Sequence, residues 1–118
     1  MECRRDDWCK VCFELSPEKK PTVVSVVTRG VSDDANGQVV EGTSVFLRVS
    51  KYGSVIAFHY SADGGEYWTL HRIFCLRDPE KPMTVGFLAQ APTGDGCTAA
   101  FSHIKFGQHT LADPRNGA

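Results

Sequence analysis

The chain has 118 residues, enough for one domain that buries roughly two-thirds of its unfolded surface. Hydrophobic residues make up 42% and charged residues 23%, an ordinary balance for a globular domain. The formal net charge is -1 and the basic clusters are only the pairs Arg4-Arg5 and Lys19-Lys20, so nucleic acid and anionic lipid are not expected partners. No apolar run approaches the roughly 18 residues that span a bilayer, and the opening MECRRDDW carries no signal-peptide core. The five cysteines, Cys3, Cys9, Cys12, Cys75 and Cys97, are odd in number and irregular in spacing. They read as free thiols in a reducing, cytoplasmic setting, an assignment that a leader ahead of Met1 would change.

In chain order, Trp8 to Leu15 alternates, with Cys9, Val11, Phe13 and Leu15 on an apolar face and Trp8, Lys10, Cys12 and Glu14 opposite. Cys9-x-x-Cys12 lacks a second Cys pair or a nearby His, so zinc is not expected. Ser16 to Pro21 is a turn. Thr22 to Arg29, TVVSVVTR, suits a strand covered on both faces. Gly30 to Gly42 reads as a polar loop. Its acids suit calcium, but their spacing is not that of an EF-hand loop and Asp/Asn/Gly clusters commonly make turns.

Ser44 to Ser50, Val55 to Tyr60 and Thr69 to Leu76 read as strands, as do Met83 to Ala91 and Cys97 to Phe106. Between Tyr60 and Thr69 lies the best-specified turn, Ser61-x-Asp63-x-Gly65-x-x-Trp68. Its Asp can bond nearby amides, and its glycines tolerate positive φ. The spacing resembles the Asp-box turn of sialidases and other β proteins, which implies a structural role for Ser61, Asp63, Gly65 and Trp68. Residues 107–118 carry Gly, Pro and Asn and read as a fraying tail. Seven strand-like runs without a convincing helix predict an all-β sandwich or barrel.

Several stretches together carry a wider resemblance. They are Trp8-x-Lys10-x-x-x-Glu14, Val26-Val27-Thr28-x-Gly30-x-Ser32-Asp33 and Leu47-Arg48-Val49. Phe58-x-Tyr60-Ser61-x-Asp63-Gly64-x-x-x-Trp68-x-x-x-Arg72 and Val85-Gly86-Phe87-x-Ala89-Gln90-x-Pro92-x-Gly94-x-Gly96 complete the series. In order and spacing they resemble a domain-of-unknown-function family of the concanavalin A-like lectin/glucanase superfamily. Some members are labelled "regulation of enolase protein". Cys12 departs from the glycine expected there. The resemblance implies an antiparallel jelly-roll sandwich, with residues 1–106 forming its C-terminal portion. It also implies that the N-terminal part is missing, with Met1 an internal methionine or a mis-assigned start. Such a chain is expected to be marginally stable, aggregating or dimerising.

Sandwiches of that superfamily often bind glycans on a sheet face, with an aromatic ring for the sugar's apolar side and planar polar groups for its hydroxyls. The candidate ligand-binding residues are Trp8, Lys10 and Glu14, with Phe46, Arg48, His59, Arg72 and Gln90 joining them where register allows. The plain alternative is that Trp8 covers the sheet while Lys10 and Glu14 form a cross-face ion pair. His59 and His71 share a face in one register, which suits metal or acid–base chemistry, but no carboxylate adjoins them. His103 and His109 read as surface residues. The glucanase triplet Glu-x-Asp-x-x-Glu and the motif Gly-x-Ser-x-Gly do not occur, so catalytic residues are not assigned. The expected function is a noncatalytic carbohydrate-binding or sugar-sensing module, without cofactor or metal. A protein-interaction or regulatory module, with a protein partner or self-association, is the alternative. A glycan-active enzyme completed by a further N-terminal segment is the third reading.

Overall fold

The computed structural model describes residues 2–4, 6–78, 81–91, 93–108 and 111–117. The described residues form seven strands: β1 (Glu2–Arg4), β2 (Asp7–Leu15), β3 (Pro21–Arg29), β4 (Val31–Val39), β5 (Phe46–Tyr52), β6 (Val55–Ser61) and β7 (Thr69–Phe74). They build an all-β, antiparallel two-sheet sandwich. One sheet has the order β1-β2-β3-β4 and the other β5-β6-β7, so sheet neighbours are also sequence neighbours. Among the described residues no helix is long and apolar enough to cross a membrane.

The alternation in β2 sets the packing. Cys9 and Val27 from the four-stranded sheet meet Ile56 and Phe58 from β6, and Leu76 closes this cluster. Val23, Val40 and Tyr60 form a second cluster, with Val11, Phe13 and Val45 packed against it. Phe58 is fully buried and meets Phe74 edge-on, with ring centroids 5.0 Å apart. Burying one such side chain is worth about 1.5–3 kcal/mol, so these few residues hold the sheets face to face. Asp7 is also fully buried, and its two carboxylate oxygens accept the backbone N–H groups of Arg77 and Asp78, each at 2.9 Å. It clamps the start of β2 to the segment that follows β7.

Four stretches differ from expectation. The polar stretch read as a loop contains β4, which pairs with β3 from Arg29↔Val31 to Thr22↔Val39 and has a bulge near Gly37. β4 lies at a sheet edge and most of its side chains are exposed, so its sequence need not alternate. The positive φ of Gly30 (79°) makes the abrupt β3–β4 reversal possible. Conversely, the runs read as strands at 83–91 and 97–106 are irregular where described, apart from an isolated bridge at Thr84. Alternation allows pairing there, but beyond the Thr84 bridge no ladder among the described residues takes them up. Residues 111–117, in the stretch read as a fraying tail, lie against the outer face of the three-stranded sheet, where Gly117 is buried.

Candidate functional site

Directly paired residues in an antiparallel sheet share a face, so register sorts the candidate residues. Trp8 pairs with Thr28, Lys10 with Val26 and Glu14 with Thr22. All of these lie on the outer face of the four-stranded sheet, opposite the core side carrying Cys9 and Val27. β4 adds Ser32 and Asp34, which pair with Thr28 and Val26, and Asn36, which pairs with Val24. Gln90 arrives from the irregular C-terminal half, and its side-chain oxygen accepts from Lys10 Nζ at 3.4 Å. Trp8, Lys10, Glu14 and Gln90 therefore share one face. Cys12 is on it too, its thiol 3.4 Å from both Glu14 Oε2 and the Val24 carbonyl. Burial, and then the Glu14 carboxylate, push the Cys12 thiol up to about 12.

The other candidates lie elsewhere. Phe46, Arg48 and His59 belong to the outer face of the three-stranded sheet, since Arg48 pairs with His59 and Phe46 with Ser61. That face is on the far side of the sandwich from Trp8. Arg48 stacks on the Trp68 ring, 3.9 Å from its centroid, and donates to the Gly117 carbonyl at 2.6 Å. His59 is fully buried, and its Nε2 bonds the Pro114 carbonyl. This bond puts the neutral ring's proton on Nε2, leaving Nδ1 buried without a partner among the described residues. Burial lowers the pKa of His59, the Pro114 bond opposes that shift, and the Arg48 charge adds to it. The ring of His103 lies 5.5 Å from that of Phe46, and His109 falls outside the described residues.

Arg72 pairs with Phe58, which turns it toward the space between the sheets, where it meets Asp33 at 2.8 Å. His71 sits at the bulge between those registers, and its Nε2 is 2.8 Å from the buried Ser25 hydroxyl. His59 and His71 thus do not share a face, and the bulge in β7 is the reason. Burial, then the neighbouring Arg72 charge, lower the pKa of His71. The absence of a side chain at Gly37 makes room for this ring, because a Cβ there would lie 2.6 Å from His71 Nδ1.

Sequence reasoning missed a feature between the open edges of β4 and β7. Two adjoining clefts of about 390 and about 320 Å³ share Gln38, Tyr60 and Thr69. Reading β4 as a loop hid them. Their floor groups already satisfy one another: Tyr60 donates to Gln38, His71 meets Ser25, and Arg72 meets Asp33. These bonds pin the two edges together. Asp7 was missed as well, because a buried acid at a strand start leaves no pattern in the sequence.

The Ser61–Trp68 turn is built by its own side chains. The Ser61 hydroxyl donates to Asp63 Oδ1 at 2.7 Å and accepts from the Gly65 N–H at 2.9 Å, while the Tyr67 N–H donates to Asp63 Oδ1 at 3.0 Å. The Tyr67 N–H and then the Ser61 hydroxyl hold the Asp63 carboxyl below its usual range. Gly65, with φ at 94°, lies against both Phe46 and Trp68.

Among the described residues, no three His, Cys, Asp or Glu side chains gather as a metal site. The acids weighed for calcium are split by β4, with Asp33 turned to Arg72 and Asp34 to the opposite face. Cys9, Cys12, Cys75 and Cys97 are not joined in disulfides. No curated protein and no solved structure matches the chain. A family model described as "Protein of unknown function (DUF1349)" matches residues 1–109. With that match spanning most of its length, the chain belongs to this family of proteins of unknown function.

Proposed function

We propose that the chain is a noncatalytic carbohydrate-binding module of the concanavalin A-like type, acting through the outer face of its four-stranded sheet. The observation that carries this reading is the approach of Gln90 to Lys10 at 3.4 Å. It brings an amide from a distant part of the chain onto the face that already holds Trp8 and Glu14. One two-residue step along β2 separates Trp8 from Lys10 by about 6.4–6.8 Å, and Glu14 lies two such steps beyond Lys10. Trp8 offers an apolar plane. Lys10 retains N–H donors beyond the one given to Gln90, and Glu14, Asp34 and Asn36 offer acceptors for hydroxyls. The β4–β7 clefts are a weaker choice, because their polar groups are already mutually bonded.

The test is a glycan screen of monodisperse protein, followed by calorimetry on any hit. Trp8→Ala is expected to raise Kd at least about tenfold, equivalent to about 1.4 kcal/mol, with an unchanged circular dichroism spectrum. Silence across the screen from well-folded protein sinks this reading, as does a hit indifferent to both Trp8→Ala and Lys10→Ala.

A second reading, a protein-interaction module, draws on the exposed apolar side chains Phe87, Leu88, Ile104 and Phe106, at 64%, 73%, 61% and 83% exposure. Phe87 also meets Phe101, with ring centroids 5.2 Å apart, and exposed apolar groupings commonly mark contact surfaces. Loss of a saturable protein interaction on Phe106→Ser, in protein without a sugar response, favours it.

A further inference from the structure

The outer face of the three-stranded sheet holds a group of donors that the sugar reading does not use. Arg48 and His59 are directly paired neighbours, and both donate to carbonyls of one short turn, Gly117 and Pro114 respectively. Trp68 holds the guanidinium by its face at 3.9 Å, which leaves the N–H edge free to point at an acceptor. Among the described residues no carboxylate pairs with Arg48. Among the described residues the cation thus meets the Trp68 face and a neutral carbonyl, although the site keeps its neighbour His59 fully buried. Nδ1 of that histidine is a buried polar atom without a partner among the described residues, which is unusual in a site built only for packing.

We propose that Arg48, His59 and Trp68 form a carboxylate-binding site, covered in this structure by the chain's own residues 111–117. Arg48 Nη1 and His59 Nε2, each now given to a carbonyl oxygen, are donors of the kind a carboxylate accepts from. A carboxylate also brings a negative charge that the two carbonyls lack, and charge-assisted hydrogen bonds are roughly twice as strong as neutral ones. The cover fits through Gly117, whose φ is 73° and whose added Cβ would lie 2.7 Å from Trp68 Cβ and 3.1 Å from Arg48 Nη1. The site is on the far side of the sandwich from Trp8, so it stands whether or not that face binds sugar.

The experiment compares the full chain with its Gly117→Val variant, in which the clash expels the cover. Acetate, glucuronate and glycylglycine are titrated while the Trp68 indole and Arg48 Nε–H signals are followed by NMR, with phosphate as the control anion. The expected result is carboxylate binding at least about tenfold tighter in Gly117→Val than in the unaltered chain, lost again in Gly117→Val/Arg48→Gln. A preference for glucuronate or for glycylglycine then separates an acidic sugar from a peptide terminus as the source of the carboxylate. No shift with any carboxylate in the folded variant overturns the proposal, and so does an equal response to phosphate. A doubled mass with tails exchanged between two copies also overturns it, because the occupant is then a second chain. Should Gly117→Val fail to fold, the unaltered chain provides the answer. Carboxylate must speed hydrogen exchange at the Arg115 and Asn116 amides by displacing the cover, and unchanged exchange overturns the proposal.

Discussion

Replacing Asp7 by Ala tests the clamp between β2 and the segment after β7. The carboxylate is fully buried and accepts two backbone N–H groups, those of Arg77 and Asp78, each at 2.9 Å. Hydrogen bonds to a charged group contribute about 1.5–3 kcal/mol each, so two give about 3–6 kcal/mol. Arg77 is exposed, and its amide regains water when the acceptor is removed, which places the expected loss in the lower half, about 3–4 kcal/mol. A domain's whole stability is about 5–15 kcal/mol, so the variant keeps only part of its margin. With a urea slope of about 2 kcal/mol per molar, the unfolding midpoint drops by about 1.5–2 M. Asp7→Asn keeps one carbonyl acceptor and turns an NH₂ toward the other donor, so it should fall between Ala and the native residue. Hydrogen exchange at the Arg77 and Asp78 amides should accelerate in both variants. A loss below about 1 kcal/mol in Asp7→Ala, with unchanged exchange at those amides, refutes the clamp.

Two further expectations concern protons and thiols. His59 and His71 have pKa values lowered chiefly by burial, so below about pH 6.5 the unfolded chain binds more protons than the folded one. Stability is therefore held above about pH 6.5 and falls as pH drops toward the folded values; Asp63 adds its share only below about pH 4. Urea unfolding between about pH 7.5 and pH 5 checks this, and a flat or rising midpoint on acidification contradicts it. Iodoacetamide at about pH 8 should label the exposed Cys75 and Cys97 well before Cys9 and Cys12. Burial raises the pKa of Cys9, and burial with Glu14 raises that of Cys12 to about 12. Peptide mapping that finds Cys12 labelled as fast as Cys97 would contradict the placement of Cys12 on the partly covered sheet face.

The all-β class was legible because β2, β3, β5, β6 and β7 carry the alternation or Val content that packing on a core demands. β4 was not legible. An edge strand exposed on its sides needs only backbone partners, and VSDDANGQV supplies those as well as any sequence would. The segments at 83–91 and 97–106 misled in the opposite sense, because alternation records a capacity to pair and not the presence of a neighbour. At the site, the two-residue period placed Trp8, Lys10 and Glu14 together, but it had no means of placing Phe46, Arg48 and His59 relative to them. That depends on which sheet each strand joins. Arg72 turned inward because of the bulge between Phe58 and His59, a shift that inverts the face of every residue beyond it.

The strand order carries a kinetic consequence. Each described strand pairs with its predecessor or successor in sequence, and the Tyr52↔Val55 pair closes across only Gly53 and Ser54. Such closures cost little chain entropy, so both meanders can assemble from local encounters before either meets the other. The late event is then docking, when Cys9 and Val27 first touch Ile56 and Phe58 across dozens of residues. Substitutions in the Gly53-Ser54 turn should act on the folding rate. Those at Asp7, which joins the sheets only after they meet, should act on the unfolding rate, making its clamp a brake on opening.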